Sequence, residues 1–190
     1  MVPFKEQVNS QKLSTFKSKG FDKGASKVKR VLWMFVSALI LKPSWLPLMG
    51  FKIFSLKLFG AKIGEGLVIK PSVNIKFPWK LEIGNDVWIG ENVWIDNLDE
   101  VMIGNDVCIS QGALLLTGNH DYTVSSFDYK NASILIEDGV WIGAKSVVCP
   151  GVICKAHSIL SVGSIATKEL EAYTIYQGNP AREVRIRIFK

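Results

Sequence analysis

Aliphatic residues return every six positions along most of this chain. Ile63, Ile69 and Ile75 open the series, followed by Ile83, Ile89 and Ile95, then Ile103, Ile109 and Leu115. After a gap the register resumes at Ile136, Ile142, Val148, Cys154, Leu160 and Ala166. A second set of apolar or small residues sits four positions later, as at Leu67, Val73, Val87, Val93, Val107, Ala113, Val140, Ser146 and Val152. Neither the helical period of about 3.6 nor the strand alternation of two produces this pattern. It reads as a solenoid in which each hexapeptide gives one short strand and one turn. Three hexapeptides make a triangular coil, so each inward aliphatic stacks on its equivalent one coil away. Glycine often follows the first aliphatic, as in Ile83-Gly84 and Ile142-Gly143, where its freedom is expected to serve a sharp turn.

The spacing also marks the interruptions. Eight-residue steps from Ile75 to Ile83 and from Ile95 to Ile103 place two-residue insertions at corners. The step from Leu115 to Ile136 is 21 residues, which leaves 15 for a loop protruding near Asn119 to Ser133. Upstream, the pattern predicts one helix over Lys27 to Leu41, a Pro-punctuated turn over Lys42 to Pro47, and a second, largely apolar helix over Leu48 to Phe59. The chain thus divides into a basic N-terminal segment with apolar helices, 1–60, and a repeat domain with a C-terminal tail, 61–190. The helices suit either a cover over the first coil or a membrane surface.

Charge changes the picture at the N-terminus. The first thirty residues hold eight basic and two acidic side chains, which accounts for the whole net charge of +6. Such a segment is either solvated or matched to an anionic partner such as membrane lipid. The apolar run Val31 to Leu41 is too short to span a bilayer. Three cysteines, Cys108, Cys149 and Cys154, lack metal-site spacing and suit a reducing compartment.

Of two histidines, His120 sits where the repeat breaks into the loop, between Asn119 and Asp121. Neutral imidazole there can accept a proton at neutral pH. His157 lies inside a regular hexapeptide and reads as a surface position. Asp96 and Asp121 are both candidates to orient His120.

The segments Ile83-Gly84-Asn85-Asp86-Val87-Trp88-Ile89-Gly90, Thr117-Gly118-Asn119-His120-Asp121-Tyr122 and Gly178-Asn179-Pro180-Ala181-Arg182 resemble the hexapeptide-repeat acyltransferases, in particular exopolysaccharide O-acetyltransferases of the colanic-acid type. The resemblance covers about Ala61 to Arg185. It implies a mainly β fold, a left-handed parallel β-helix with an N-terminal helical segment and a protruding loop, assembled as a homotrimer. It implies His120 as catalytic base facing a cleft between subunits. It implies acetyl-CoA as co-substrate along Trp141, Gly143, Ala144, Val162, Thr167 and Lys168, with Arg182 and Arg185 on phosphates. Asn92, Asp96 and Asn97 would hold the acceptor, a sugar or lipid-linked saccharide. No metal and no nucleic acid is expected, and the protein would work in the cytoplasm or at the inner membrane face.

The expected reaction is direct attack of a sugar hydroxyl on the thioester. An acetyltransferase of this fold acting on serine, an amino sugar or a drug is the alternative. A non-catalytic β-helix module is another, although it has no need of a histidine at a loop break. A three-histidine metal site of the carbonic anhydrase kind is excluded by the histidine count.

Overall fold

The computed structural model describes residues 11–16, 21–46 and 48–190. Lys5, Glu6, Lys17 and Lys19 of the basic stretch, and Pro47 of the predicted turn, lie outside them.

The hexapeptides form a parallel β-solenoid with three faces. Its first coil runs through β1 (Lys62–Ile63), β2 (Val68–Ile69) and β3 (Asn74–Ile75). The second holds β4 (Leu81–Ile83), β5 (Trp88–Ile89) and β6 (Trp94–Asp96). The third holds β7 (Val101–Ile103), β8 (Cys108–Ile109) and β9 (Leu114–Leu116). The fourth and fifth follow through β10 (Ile134–Ile136), β11 (Trp141–Ile142), β12 (Val147–Val148), β13 (Ile153–Cys154), β14 (Ile159–Leu160) and β15 (Ile165–Ala166). Strands β1, β4, β7, β10 and β13 form face A; β2, β5, β8, β11 and β14 lie in face B; β3, β6, β9, β12 and β15 form face C.

The stacking predicted from the period holds at each level. Ile63 pairs with Ile83, Ile83 with Ile103, and Ile136 with Cys154. Ile103 pairs with Ile136, so the 21-residue interruption leaves the register intact. The inward column is almost fully buried, which supplies the main driving force for the fold.

The role of glycine differs from the expectation. The glycines after the first aliphatic do not carry positive φ. They are required because successive coils touch: a Cβ on Gly143 would lie 2.6 Å from Leu160 O and from Val162 N. The left-handed backbone falls instead on the residue before each second-set position, at Gly66, Ser72, Asp86, Asn92, Asp106, Gly112, Gly139, Lys145, Gly151, His157 and Gly163. Asparagine and aspartate tolerate that conformation better than most residues. His157 is therefore a corner residue, half-buried against Tyr173 and Phe189.

The first helix is α-helical over Lys27–Val36 (α1) and loosens into a π-type turn over Ser37–Leu41. Ser26 caps its start by accepting a hydrogen bond from Lys29 N at 3.2 Å. The second helix, α2, spans Met49–Leu58. Trp33, Leu41 and Leu56 join the same core as the coils. The first coil would otherwise expose unpaired carbonyls. Trp33 Nε1 donates to Ile75 O at 3.0 Å, and Lys52 Nζ to Lys70 O at 3.3 Å. At the other end the antiparallel hairpin of β16 (Thr174–Gly178) and β17 (Ala181–Ile186) extends face B.

Candidate active site

His120 stands on the loop that leaves β9 at the corner between faces C and A. Asn119 Oδ1 accepts from the His120 backbone N–H at 2.8 Å, and His120 bridges to Tyr129 across the loop. The imidazole Nδ1 lies 2.7 Å from Phe127 O. The ring stacks on Phe127, with centroids 4.2 Å apart and planes 5° apart, and on Tyr129 at 4.8 Å. His120 is half-buried.

Neither carboxylate considered from the sequence makes this contact. Asp121 closes its own turn by accepting from Thr123 N at 2.9 Å. Hydrogen bonds from Thr123 hold its carboxyl below the usual range. Asp96 is nearly buried and lies 2.8 Å from Lys76 Nζ. The orienting group is the Phe127 carbonyl. No side-chain pattern could have announced it, because every residue carries one.

The N-terminal segment reaches this loop. Phe16 packs edge-on to His120 at 5.9 Å and to Tyr129 at 5.4 Å, and Phe21 lies 4.7 Å from Tyr129. Lys12 N donates to Ser125 O at 2.9 Å. These aromatic contacts were not foreseen from the repeat pattern.

A groove of about 490 Å³ runs along the corner between faces B and C. It brings together Trp141, Gly143, Ala144, Val162 and Arg185 from the expected set, and adds Ser110, Gln111 and Ile175. Trp141 is not a core residue: it is 46% exposed and its Nε1 donates to Ser110 Oγ at 2.9 Å. Thr167 and Lys168 do not line this groove. They follow β15 at the corner between faces C and A, the same corner from which the His120 loop departs. Arg182 is exposed at the start of β17, outside the groove.

The expected acceptor residues separate. Asn97 is fully buried and serves the corner, with Nδ2 donating to Phe77 O at 2.6 Å and Oδ1 accepting from Phe77 N at 2.9 Å. It has no surface left for a ligand. Asn92 is exposed but occupies a left-handed turn position. Among the described residues no group of three or more His, Cys, Asp or Glu side chains is arranged to hold a metal ion.

No family model matches the chain. WcaF of Escherichia coli (strain K12), provisionally named a colanic acid biosynthesis acetyltransferase, is 39% identical over 181 residues, covering 94% of this chain and 98% of the relative. The galactoside O-acetyltransferase of the same organism is 30% identical over 128 residues, covering 66% of this chain and 63% of the relative. Among solved structures, the hexapeptide-repeat acetyltransferase VCA0836 of Vibrio cholerae O1 biovar eltor, complexed with acetyl coenzyme A, shares the fold. Its TM-score is 0.79 at 22% identity, covering 93% of this chain and 97% of that one.

Proposed function

The chain belongs to the hexapeptide-repeat acetyltransferases, and from that premise we propose that it transfers an acetyl group from acetyl-CoA to a sugar hydroxyl in exopolysaccharide biosynthesis, with His120 as general base. The observation that carries the reading is the contact between His120 Nδ1 and Phe127 O. A carbonyl can only accept, so Nδ1 bears the proton and Nε2 presents its lone pair.

His120 Nε2 takes the proton of the acceptor hydroxyl as its oxygen attacks the thioester carbonyl. The oxyanion needs a hydrogen-bond donor, for which a backbone N–H suffices. As the C–S bond breaks, the imidazolium returns its proton to the departing CoA thiolate. The groove fits a CoA arm: Trp141 and Val162 form apolar walls, and the Arg185 guanidinium suits phosphate at one end. Thr167, Lys168 and Arg182 would meet the nucleotide portion, and Asn92 and Asp96 the acceptor.

Groove and histidine lie on different edges of one prism, which favours a homotrimer. In such an assembly the groove of one copy would meet His120, Thr167 and Lys168 of its neighbour.

The test is melting temperature against acetyl-CoA, with ATP as the phosphate-matched control, followed by thiol release with oligosaccharide acceptors. Ligand at about 100 times its Kd adds roughly 2.7 kcal/mol to a reversible fold. A shift with acetyl-CoA alone, and thiol release that needs both acceptor and His120, is the expected result. No shift at saturating acetyl-CoA would sink the donor, and full thiol release from His120→Ala would sink the base.

A further inference from the structure

The two helices that close the first coil each bury one face and leave another apolar face in water. Val28, Leu32, Phe35 and Leu39 recur at helical spacing on α1 and its π-type extension. Leu48, Phe51, Phe54 and Leu58 do so along α2. All eight are more than half exposed. Contiguous exposed apolar surface of this kind marks an interaction face rather than ordinary surface.

Between the inner side of α1 and its π-type extension, which carries Arg30, Trp33 and Ser37, and the outer side of face C lies a cleft of about 300 Å³. Arg30, Lys42 and Lys76 line it, and no carboxylate does. Asp96 engages Lys76 from outside the lining. Among the described residues neither Arg30 nor Lys42 forms an ion pair. Two buried polar atoms at the cleft also lack a hydrogen-bond partner among the described residues: Arg30 Nε and Ser37 Oγ. Ser37 is only 4% exposed. Buried donors left unsatisfied in a native structure point to a missing acceptor. A guanidinium edge, a hydroxyl and an ammonium around one cleft match a phosphate group.

We propose that the α1–α2 surface docks on an anionic phospholipid bilayer, with a lipid phosphate seated among Arg30, Ser37 and Lys42. Apolar stripes and a cationic cleft on the same helical segment give the two components that hold amphipathic helices in a bilayer interface. Apart from Arg30, the first thirty residues carry seven further basic side chains against two acidic ones, a net charge that favours an anionic surface. No described helix is long and apolar enough to cross the membrane. A second copy is a poorer occupant, because a symmetric contact would bring like-charged clefts together.

The experiment is co-sedimentation of the full-length protein with phosphatidylcholine vesicles, with and without phosphatidylglycerol. Wild type should bind the phosphatidylglycerol vesicles and leave phosphatidylcholine largely in solution. Arg30→Gln and Lys42→Gln should each weaken partitioning by about fivefold. Phe35→Ser with Phe54→Ser should weaken it independently, while all variants keep the acetyl-CoA melting shift of wild type.

Absence of vesicle binding, or binding indifferent to both lipid charge and Arg30→Gln, overturns the proposal. So does a Phe35→Ser variant that falls to a smaller oligomer, which would make the face a contact between copies. Stabilisation by inorganic phosphate without vesicle binding would assign the cleft to a free anion instead. Since vesicle binding needs no acetyl transfer, its failure is separable from failure of the proposed activity.

Discussion

The Nδ1 atom of His120 lies 2.7 Å from the carbonyl oxygen of Phe127, and this contact selects the ring nitrogen available for acid–base chemistry. The ring is also clamped by stacking on Phe127 and Tyr129. Turning it over would put a C–H in place of Nδ1 and break the hydrogen bond. The hydrogen bond favours one tautomer and one orientation of the imidazole.

Replacing His120 by alanine should lower kcat by about 10²–10⁴-fold, the usual contribution of a positioned general base. The groove walls proposed to hold acetyl-CoA, Trp141, Val162 and Arg185, are left intact by this substitution. The acetyl-CoA melting shift should therefore survive the substitution. Steady-state thiol release together with melting curves checks both halves. Loss of the shift along with activity would mean that His120 supports binding or folding instead.

Tyr129 joins the loop to the N-terminal segment through Phe16 and Phe21. Each aromatic pair contributes about 0.5–1.5 kcal/mol beyond area burial. Tyr129→Ala should free the His120 ring and lower kcat several-fold to tens-fold. The Kd for acetyl-CoA should stay unchanged, and Tyr129→Phe should restore kcat. A rise in Kd with unchanged kcat would contradict a positioning role.

Much of this arrangement is legible in the sequence because a six-residue period has one economical physical solution. Ile63, Ile83, Ile103 and Ile136 can share a column only if a coil closes every three hexapeptides, and the leftover residues must then leave as a loop. Ala144 and Val162 occupy equivalent places in successive coils, but that they share a groove with Trp141 is implied by the family resemblance and not by the period. What escaped it depends on contacts between distant segments or on backbone atoms. Phe16 approaches His120 from far away in sequence, and the Phe127 carbonyl has no side-chain signature. Asn97 reads as an acceptor residue in the sequence because an amide suits a sugar and a corner equally well; its burial against Phe77 assigns it to the corner.

Two glycines of neighbouring turns separate the steric from the conformational requirement. Gly143 has helical or extended backbone sign but no room: a Cβ there meets Leu160 O and Val162 N at 2.6 Å. Gly163 has open space but φ of +65°. Gly163→Ala should cost about 1–2 kcal/mol, the penalty for an L-residue in the left-handed region. Gly143→Ala forces two coils apart and should cost clearly more, or prevent folding. Urea denaturation of both variants ranks them. Equal costs would mean that the coils slide apart easily and that close stacking does not constrain this position.

Cys154 replaces the usual aliphatic residue on face A, fully buried between Ile136 and the bridge to Leu170. Burial pushes its thiol up from 9.0 to about 12. Between those values the unfolded chain releases the proton while the folded chain keeps it. The folded state then binds more protons, so stability must fall as pH rises through this window. The full difference is on the order of a few kcal/mol. Lys52 works in the opposite sense: burial lowers its pKa, so its penalty fades as pH approaches 10.5. That term is common to wild type and to Cys154→Val, whose branched side chain suits a column built of isoleucines. The difference in melting temperature between the two proteins should therefore be constant below pH 8 and shift in favour of the variant above pH 9. A difference that does not change with pH would mean that the thiol ionises freely in the native state, and that the column is open to water at that coil.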